Sequence, residues 1–264
     1  MSLASVVFFG VGCYTVAVLG EAMPWIAVLV VAALIGGLLA LVVGLATLRL
    51  AGIYFVIFTF GLAELVRQLV TWYEVNVTAS VGRYVFLDVT QPQIFWQLLA
   101  LLAAVLVGAV ALQRSRLGFA LRVIGGHETM ARHFGLNPTS AKLALFVGTS
   151  VIMSLAGAIM APRWTYIDPA IAFNSTLSFQ VVIMALLGGM HRIWGPLLGA
   201  VLMSFLFEAL GARFPQAFSL LLGLVFIVIV YLLPYGIVGR VEDLLARLRR
   251  EPEPARLRPE NAHE

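Results

Sequence analysis

Eight runs of apolar residues, separated by short polar intervals, take up most of the chain: 3–19, 24–48, 50–70, 94–113, 143–161, 177–190, 194–211 and 217–239. A helix needs about 20 residues to cross about 30 Å of hydrocarbon, so the second and eighth runs reach easily while the sixth is short. The pattern predicts an all-α fold, a polytopic transmembrane helical bundle of about eight membrane segments with short or discontinuous helices among them. Trp25, Trp72, Trp96, Trp164 and Trp194, all five tryptophans, fall at or just beyond the ends of these runs, where amphipathic rings favour the membrane interface.

The one long polar interval is 114–142, which holds five of the seventeen Lys and Arg residues. Within it, GHETMARHFGLNP is punctuated as one short helix of about three turns at most. Gly125 and Gly126 break the preceding pattern, Gly135 offers a left-handed cap, and Pro138 stops continuation. At about 100° per residue, Met130 and Phe134 share one side and Glu128 and Arg132 roughly the other. Glu128 near the N-terminus also complements the helix dipole. The spacing serves two roles equally well: docking against a soluble protein on the cytoplasmic side, or resting on lipid headgroups.

Composition strengthens the membrane reading, since 61% of the 264 residues are hydrophobic and 11% charged, against about 25% charged in ordinary soluble domains. The net charge of +4 requires no nucleic acid as partner; the basic residues gather in 114–142 and in the tail. By the positive-inside tendency both lie in the cytoplasm, which demands an even number of crossings between them. The sixth run must therefore cross, as a half-helix continued by irregular backbone would. Counting upstream puts 71–93 outside and Met1 inside, and 162–176 falls opposite 114–142. No cleavable signal is apparent, so the first run is expected to stay in the mature chain. The chain divides into a membrane domain, 1–240, and a C-terminal segment, 241–264. A basic amphipathic helix, RVEDLLARLRR, leads into that segment from Arg240, and the chain is expected to be disordered after about Arg250.

Small residues line several runs. Ala32, Gly36, Ala40 and Gly44 follow a strict step of four; Ser150, Ser154 and Ala158, and Gly195 with Gly199, repeat the device. Such stripes let helices approach closely or line a permeation route. A charge at membrane depth costs about 2.5–3.5 kcal/mol, so each needs a partner or a polar cavity. Glu64 and Arg67 are three apart and pair along one helix; Glu208 has no such local partner and is expected near the outer end, solvated.

Catalytic and metal chemistry finds little support. Cys13 is the sole cysteine, which excludes an intrachain disulfide and suits a small packing residue. His127 and His133 in HETMARH are six apart, about 120° around a helix, and do not readily share a metal. Gly10 and Gly12 form G-x-G inside an apolar run, not after a strand, and no phosphate-binding loop appears. If ATP drives this protein, another chain must hydrolyse it.

Several ordered stretches carry a family resemblance: LRLAGIYFVIFTFGLAELVRQLV, SRLGFALRVI, ETMARHFGLN, SLAGAIMA, SFQVVIMALLGGMHRIWGPLLGA and LLPYGIVG. From Ser2 to about Arg240 the chain resembles the membrane permease subunits of branched-chain amino-acid ABC importers, the Liv type, and more the M-like than the H-like subunit. By that resemblance Glu128, Ala131, Arg132, Gly135 and Asn137 fall on the ATPase-coupling motif, with Met130 where alanine is usual and Phe134 beside it on the apolar face. Gly188, Gly189, Gly195, Pro196 and Gly199 match a second motif in which His191 replaces glycine. SLASVVFFGVGCYTVAVL is similar to a family segment that further spans usually precede.

The resemblance implies a transport subunit rather than an enzyme, in a prokaryotic cytoplasmic (inner) membrane with its C-terminus cytoplasmic. It implies a second homologous permease subunit, two cytoplasmic ATPase subunits that carry ATP and Mg, no cofactor on this chain, and an extracytoplasmic binding protein delivering leucine, isoleucine or valine. Urea, short amides or another small solute remain alternative cargoes. A secondary transporter coupled to ions through Glu64 and Arg67 is the alternative class, and an intramembrane enzyme lacks any convergent catalytic set.

Overall fold

A computed structural model of the chain describes residues 2–47, 50, 52–126, 131, 133–135, 137–189 and 193–232. The apolar runs fold as α1 (Ser5–Leu19), α2 (Trp25–Thr47), α3 (Ile53–Tyr73), α4 (Gln91–Arg114), α5 (Arg116–Gly126), α6 (Pro138–Met160), α7 (Pro169–Ala172), α8 (Ser175–Gly188), α9 (Trp194–Arg213) and α10 (Phe218–Leu232). Among the described residues the strands are β1 (Arg83–Tyr84) and β2 (Tyr166–Ile167), which pair antiparallel with Arg83 opposite Ile167.

Among the described residues six helical stretches are long and apolar enough to cross a bilayer. The first apolar run, α1, has only 15 residues, and the last is described over 15. The sixth run is longer than its hydropathy suggests because helix begins at Pro169, giving a 20-residue stretch to Gly188. It is discontinuous. Asp168 caps α7 by accepting from the Ile171 amide at 2.7 Å, Phe173 leaves the helical region at φ −107° and ψ 35°, and Asn174 Oδ1 restarts the chain by accepting from the Thr176 amide. The interval 114–142 also holds a helix that the periodicity did not separate, α5, whose last residues are Gly125 and Gly126. Ser115 makes the corner: its Oγ donates to the Leu112 carbonyl at 2.7 Å and accepts from the Gly118 amide at 3.2 Å.

Two compact units result, Met1–Gln180 and Val181–Glu264, with α8 running across the boundary. The boundary expected near 240 and the tail 241–264 lie outside the described residues.

The first unit is built on a crossing of α1, α2 and α6. The small-residue stripes expected on α2 and α6 face each other: Ala32, Gly36, Ala40 and Gly44 are buried, and a Cβ at Gly36 would run into the Ser154 side chain. Gly12 of α1 lies against the Ser154 carbonyl, Gly157 of α6 lies against the Phe9 carbonyl, and Gly10 takes the Phe173 ring. The G-x-G of α1 is therefore a packing device. Backbone at this spacing brings buried hydroxyl and thiol groups within reach of backbone groups across the crossing. Ser154 Oγ donates to the Ala32 carbonyl at 2.8 Å, Cys13 Sγ to the Gly157 carbonyl at 3.2 Å, and Ser178 Oγ to the Leu3 carbonyl at 3.0 Å. Thr59 Oγ1 accepts from the Leu3 amide at 3.2 Å. Ser154→Ala is expected to lower stability by only about 0.6 kcal/mol, the typical worth of an interhelical hydrogen bond in lipid, read as a small drop in melting temperature in detergent.

In the second unit, Ile183 and Leu187 of α8, Met203 of α9 and Leu222 of α10 form the core, and Phe218 meets Phe207 edge-on with ring centroids 6.1 Å apart. The outward surfaces are apolar in both units: Ile26, Leu34 and Leu38 on α2, Phe95 and Val107 on α4, and Phe205 and Leu220 in the second unit are exposed. Hydrocarbon, not water, suits such belts.

Candidate functional site

The corner between α5 and α6 presents part of the interval singled out by its polarity. Ala131 is fully buried against Ile124 of α5 and Ala141 of α6, with Leu117, Leu121 and Val123 around them. Phe134 is 77% exposed, and Gly135 adopts φ 74°, the left-handed conformation expected of it. Pro138 begins α6 as well as ending what precedes it, because Asn137 is that helix's N-cap: its side chain accepts from the Thr139 amide at 3.1 Å and the Ser140 amide at 3.3 Å. Arg122 turns back and donates through Nε to the Gly118 carbonyl and through Nη2 to the Gln113 carbonyl. Glu128, Met130 and Arg132, also expected in this site, lie outside the described residues. The corner thus has a buried alanine holding it down and an aromatic ring held out.

Glu64 and Arg67 pair on α3. Arg67 Nε donates to Glu64 Oε2 at 3.0 Å, Arg67 Nη2 meets Oε1, and Gln68 Nε2 adds a bond to Oε1 at 3.0 Å. Both are half-exposed, and each neutralises the other within one helical turn. Glu208 on α9 is exposed.

The glycines of the second motif belong to the second unit. Gly188 and Gly189 end α8 and its turn, while Gly195 and Gly199 start α9; a Cβ on Gly188 would strike the Gly195 carbonyl, and one on Gly199 the Met184 carbonyl. Gly189 has φ 100°, open only to glycine at low cost. Pro196 sits in the first turn of α9, exposed, where its missing amide hydrogen removes no helical bond. His191 lies outside the described residues.

A polar cluster at the opposite end of α6 from Phe134 was not anticipated. α3 ends in a π-turn, Glu74–Thr78, followed by Ala79 at φ 52° and Gly82 at φ 77°. This turn folds the chain back over Glu74, whose residue is only 2% exposed. Glu74 Oε2 accepts from the Gly82 amide at 2.8 Å and from Tyr14 Oη of α1 at 3.3 Å, and Arg83 Nε lies 3.8 Å from Oε1. Oε1 itself is buried with no hydrogen bond. Tyr166 Oη donates to the Val81 carbonyl, and the β1–β2 ladder ties this turn to the segment after α6. A cleft of about 620 Å³ opens here, bordered by Glu21, Gly82, Arg83, Tyr84 and Tyr166. Sequence spacing offered no route to it, because Tyr14 and Glu74 are 60 residues apart; the signal available was a lone carboxylate just past the Trp72 interface marker.

Comparisons with known proteins concern the whole chain more than these sites. A family model described as branched-chain amino acid transport system / permease component matches residues 1–230. The chain is 29% identical over 229 residues to the high-affinity branched-chain amino acid transport system permease protein LivM of Salmonella typhimurium, covering 74% of this chain and 54% of that one. The Escherichia coli strain K12 LivM is 28% identical over the same shares. The ribose import permease protein RbsC of Escherichia coli strain K12 is 30% identical over 99 residues, 36% of this chain and 31% of that one. The chain spans about half the length of the LivM relatives. No solved structure matches it.

Proposed function

Because the chain belongs to the family of branched-chain amino acid transport system permease components, we propose that it is the membrane-spanning subunit of an ATP-driven importer of leucine, isoleucine and valine. An extracytoplasmic binding protein delivers the cargo, a second homologous permease completes the pathway, and two cytoplasmic ATPase subunits bind ATP and Mg. The protein lies in a prokaryotic inner membrane with the 114–142 corner and the C-terminus on the cytoplasmic side. The observation that carries this reading is the match over residues 1–230, which takes in nearly every described helix.

The site residues take their roles from chemistry already described. Ala131 anchors the coupling segment, Phe134 is offered to the ATPase, and Gly135 and Asn137 shape the exit into α6, while Glu128, Met130 and Arg132, outside the described residues, take a coupling role from the family resemblance alone. Gly188, Gly189, Gly195 and Gly199 serve close helix packing, with Pro196 starting α9. Glu64 and Arg67 neutralise each other, which argues for a structural pair over ion coupling.

The partial likeness to ribose permeases favours a second cargo class, a small sugar. Uptake by vesicles carrying the chain with its ATPase and binding-protein partners separates the readings. Leucine, isoleucine and valine are expected to compete with one another, and uptake of ribose or urea alone would remove the cargo assignment. Sidedness has its own test: cysteines introduced at Thr139 and Asn174 are expected to label from opposite faces of intact cells, and labelling from the same face would overturn the arrangement.

A further inference from the structure

The cluster around Glu74 has chemistry that helix packing does not use. Arg83 is held at one end by Glu74, yet among the described residues its guanidinium makes no side-chain hydrogen bond, and its side chain is 35% exposed. It borders the 620 Å³ cleft together with Glu21, in the turn between α1 and α2, so one basic and one acidic residue line that cleft. Arg83 also borders a second cleft of about 280 Å³ with Val18, Leu69 and Val70. Val18 and Val70 also line a third, of about 330 Å³, whose walls include Val11, Ile35, Val66 and Phe173 and are almost wholly apolar. Charged residues of both signs beside aliphatic walls suit a small ligand that is itself dipolar at one end and aliphatic at the other.

We propose that the cleft between Glu21 and Arg83 is a binding site on the permease itself for a free aliphatic α-amino acid, which enters side chain first toward Val18 and Val70. Arg83 receives the carboxylate through its planar fork, a pairing stronger than neutral hydrogen bonds, and Glu21 accepts from the ammonium. Glu74, buried behind Arg83 and bound by Gly82 and Tyr14, sets where the guanidinium sits. A sugar meets neither charge with a counter-charge, so the site discriminates by class. The inference rests on the amino-acid reading of the cargo and adds that the permease, besides its binding protein, recognises it.

The test uses the assembled membrane complex, purified without its binding protein and titrated with tritiated L-leucine. Saturable binding is expected, with isoamylamine, which lacks the carboxylate, and isocaproate, which lacks the ammonium, each competing about tenfold worse or weaker still. Loss of one charge-assisted hydrogen bond corresponds to about tenfold in affinity or more, so Arg83→Gln and Glu21→Gln are both expected to show at least that loss. Arg83→Gln also strands the buried Glu74 carboxylate and is expected to lower the melting temperature; Glu21→Gln, on an exposed turn, keeps the melting temperature and decides the matter. Leucine uptake by the complete transporter together with no leucine binding here, or equal binding by the parent and Glu21→Gln, overturns the site and leaves the transport reading intact. Absence of leucine uptake with all partners present overturns the transport reading and the site with it.

Discussion

Gly157→Val is expected to leave little folded chain in the membrane, whereas Gly148→Val on the same helix accumulates at close to the parental level. The two glycines lie nine residues apart on α6 but differ in what a side chain would meet. At Gly148 nothing lies within 4 Å; at Gly157 the first added carbon would overlap the backbone of Phe9. Main chain cannot rotate aside as a side chain does, so α1 and α6 must separate. Separation also removes the bond from Cys13 Sγ to the Gly157 carbonyl and opens the contact of Gly12 with Ser154. Overpacking costs about 1–3 kcal/mol where side chains adjust, and a backbone clash exceeds that range. Against a total stability of about 5–15 kcal/mol, this is a severe loss. Folded yield and melting temperature in detergent, compared for the two valine variants, provide the measurement. Equal behaviour would mean that α1 and α6 do not meet at these glycines.

Phe134→Ala is expected to weaken association with the proposed ATPase partner about thirtyfold, with membrane insertion unchanged. Truncating an exposed aromatic anchor at an interface often costs about 2 kcal/mol, which is that factor in affinity. The expectation draws on the 77% exposure of Phe134 beside the buried Ala131, so that the ring is removed without disturbing the anchor beneath it. Gly135→Val acts by another route, because a β-branched residue is strained at φ 74°. Co-purification of the ATPase and transport-stimulated ATP hydrolysis report both effects. If both variants assemble and transport at parental rates, the segment rests on lipid headgroups and the docking role is wrong.

Much of the architecture was legible because a bilayer leaves the chain few options. Long apolar runs must be helical, tryptophans mark their ends, and a glycine before Asn-Pro points to a left-handed turn, which Gly135 adopts. Small residues in a step of four on α2 announced a close helix contact, and the i,i+3 spacing of Glu64 and Arg67 announced their pairing; both are local or periodic signals. Other features had no such signal. α5 was merged into a polar interval because an 11-residue helix with Arg116 and Arg122 reads as loop beside true spans. The early start of the sixth stretch at Pro169 was missed because a four-residue helix capped by Asp168 adds length without an apolar run.

By itself, then, the amino-acid order determined that this chain folds as a helical membrane bundle, where most spans lie, and which stripe of α2 must face a neighbour. Hydrophobicity and helical period act within one segment, and they need no knowledge of what lies across the bundle. Only the tertiary structure decided that the partner of that stripe is α6, with Ser154 donating to the Ala32 carbonyl 122 residues away. It alone brought Tyr14, Glu74 and Arg83 together and set Glu21 and Tyr166 around the same cleft. These residues come from segments remote in sequence, and a buried carboxylate is placed by the several donors that converge on it, an arrangement that no single segment encodes.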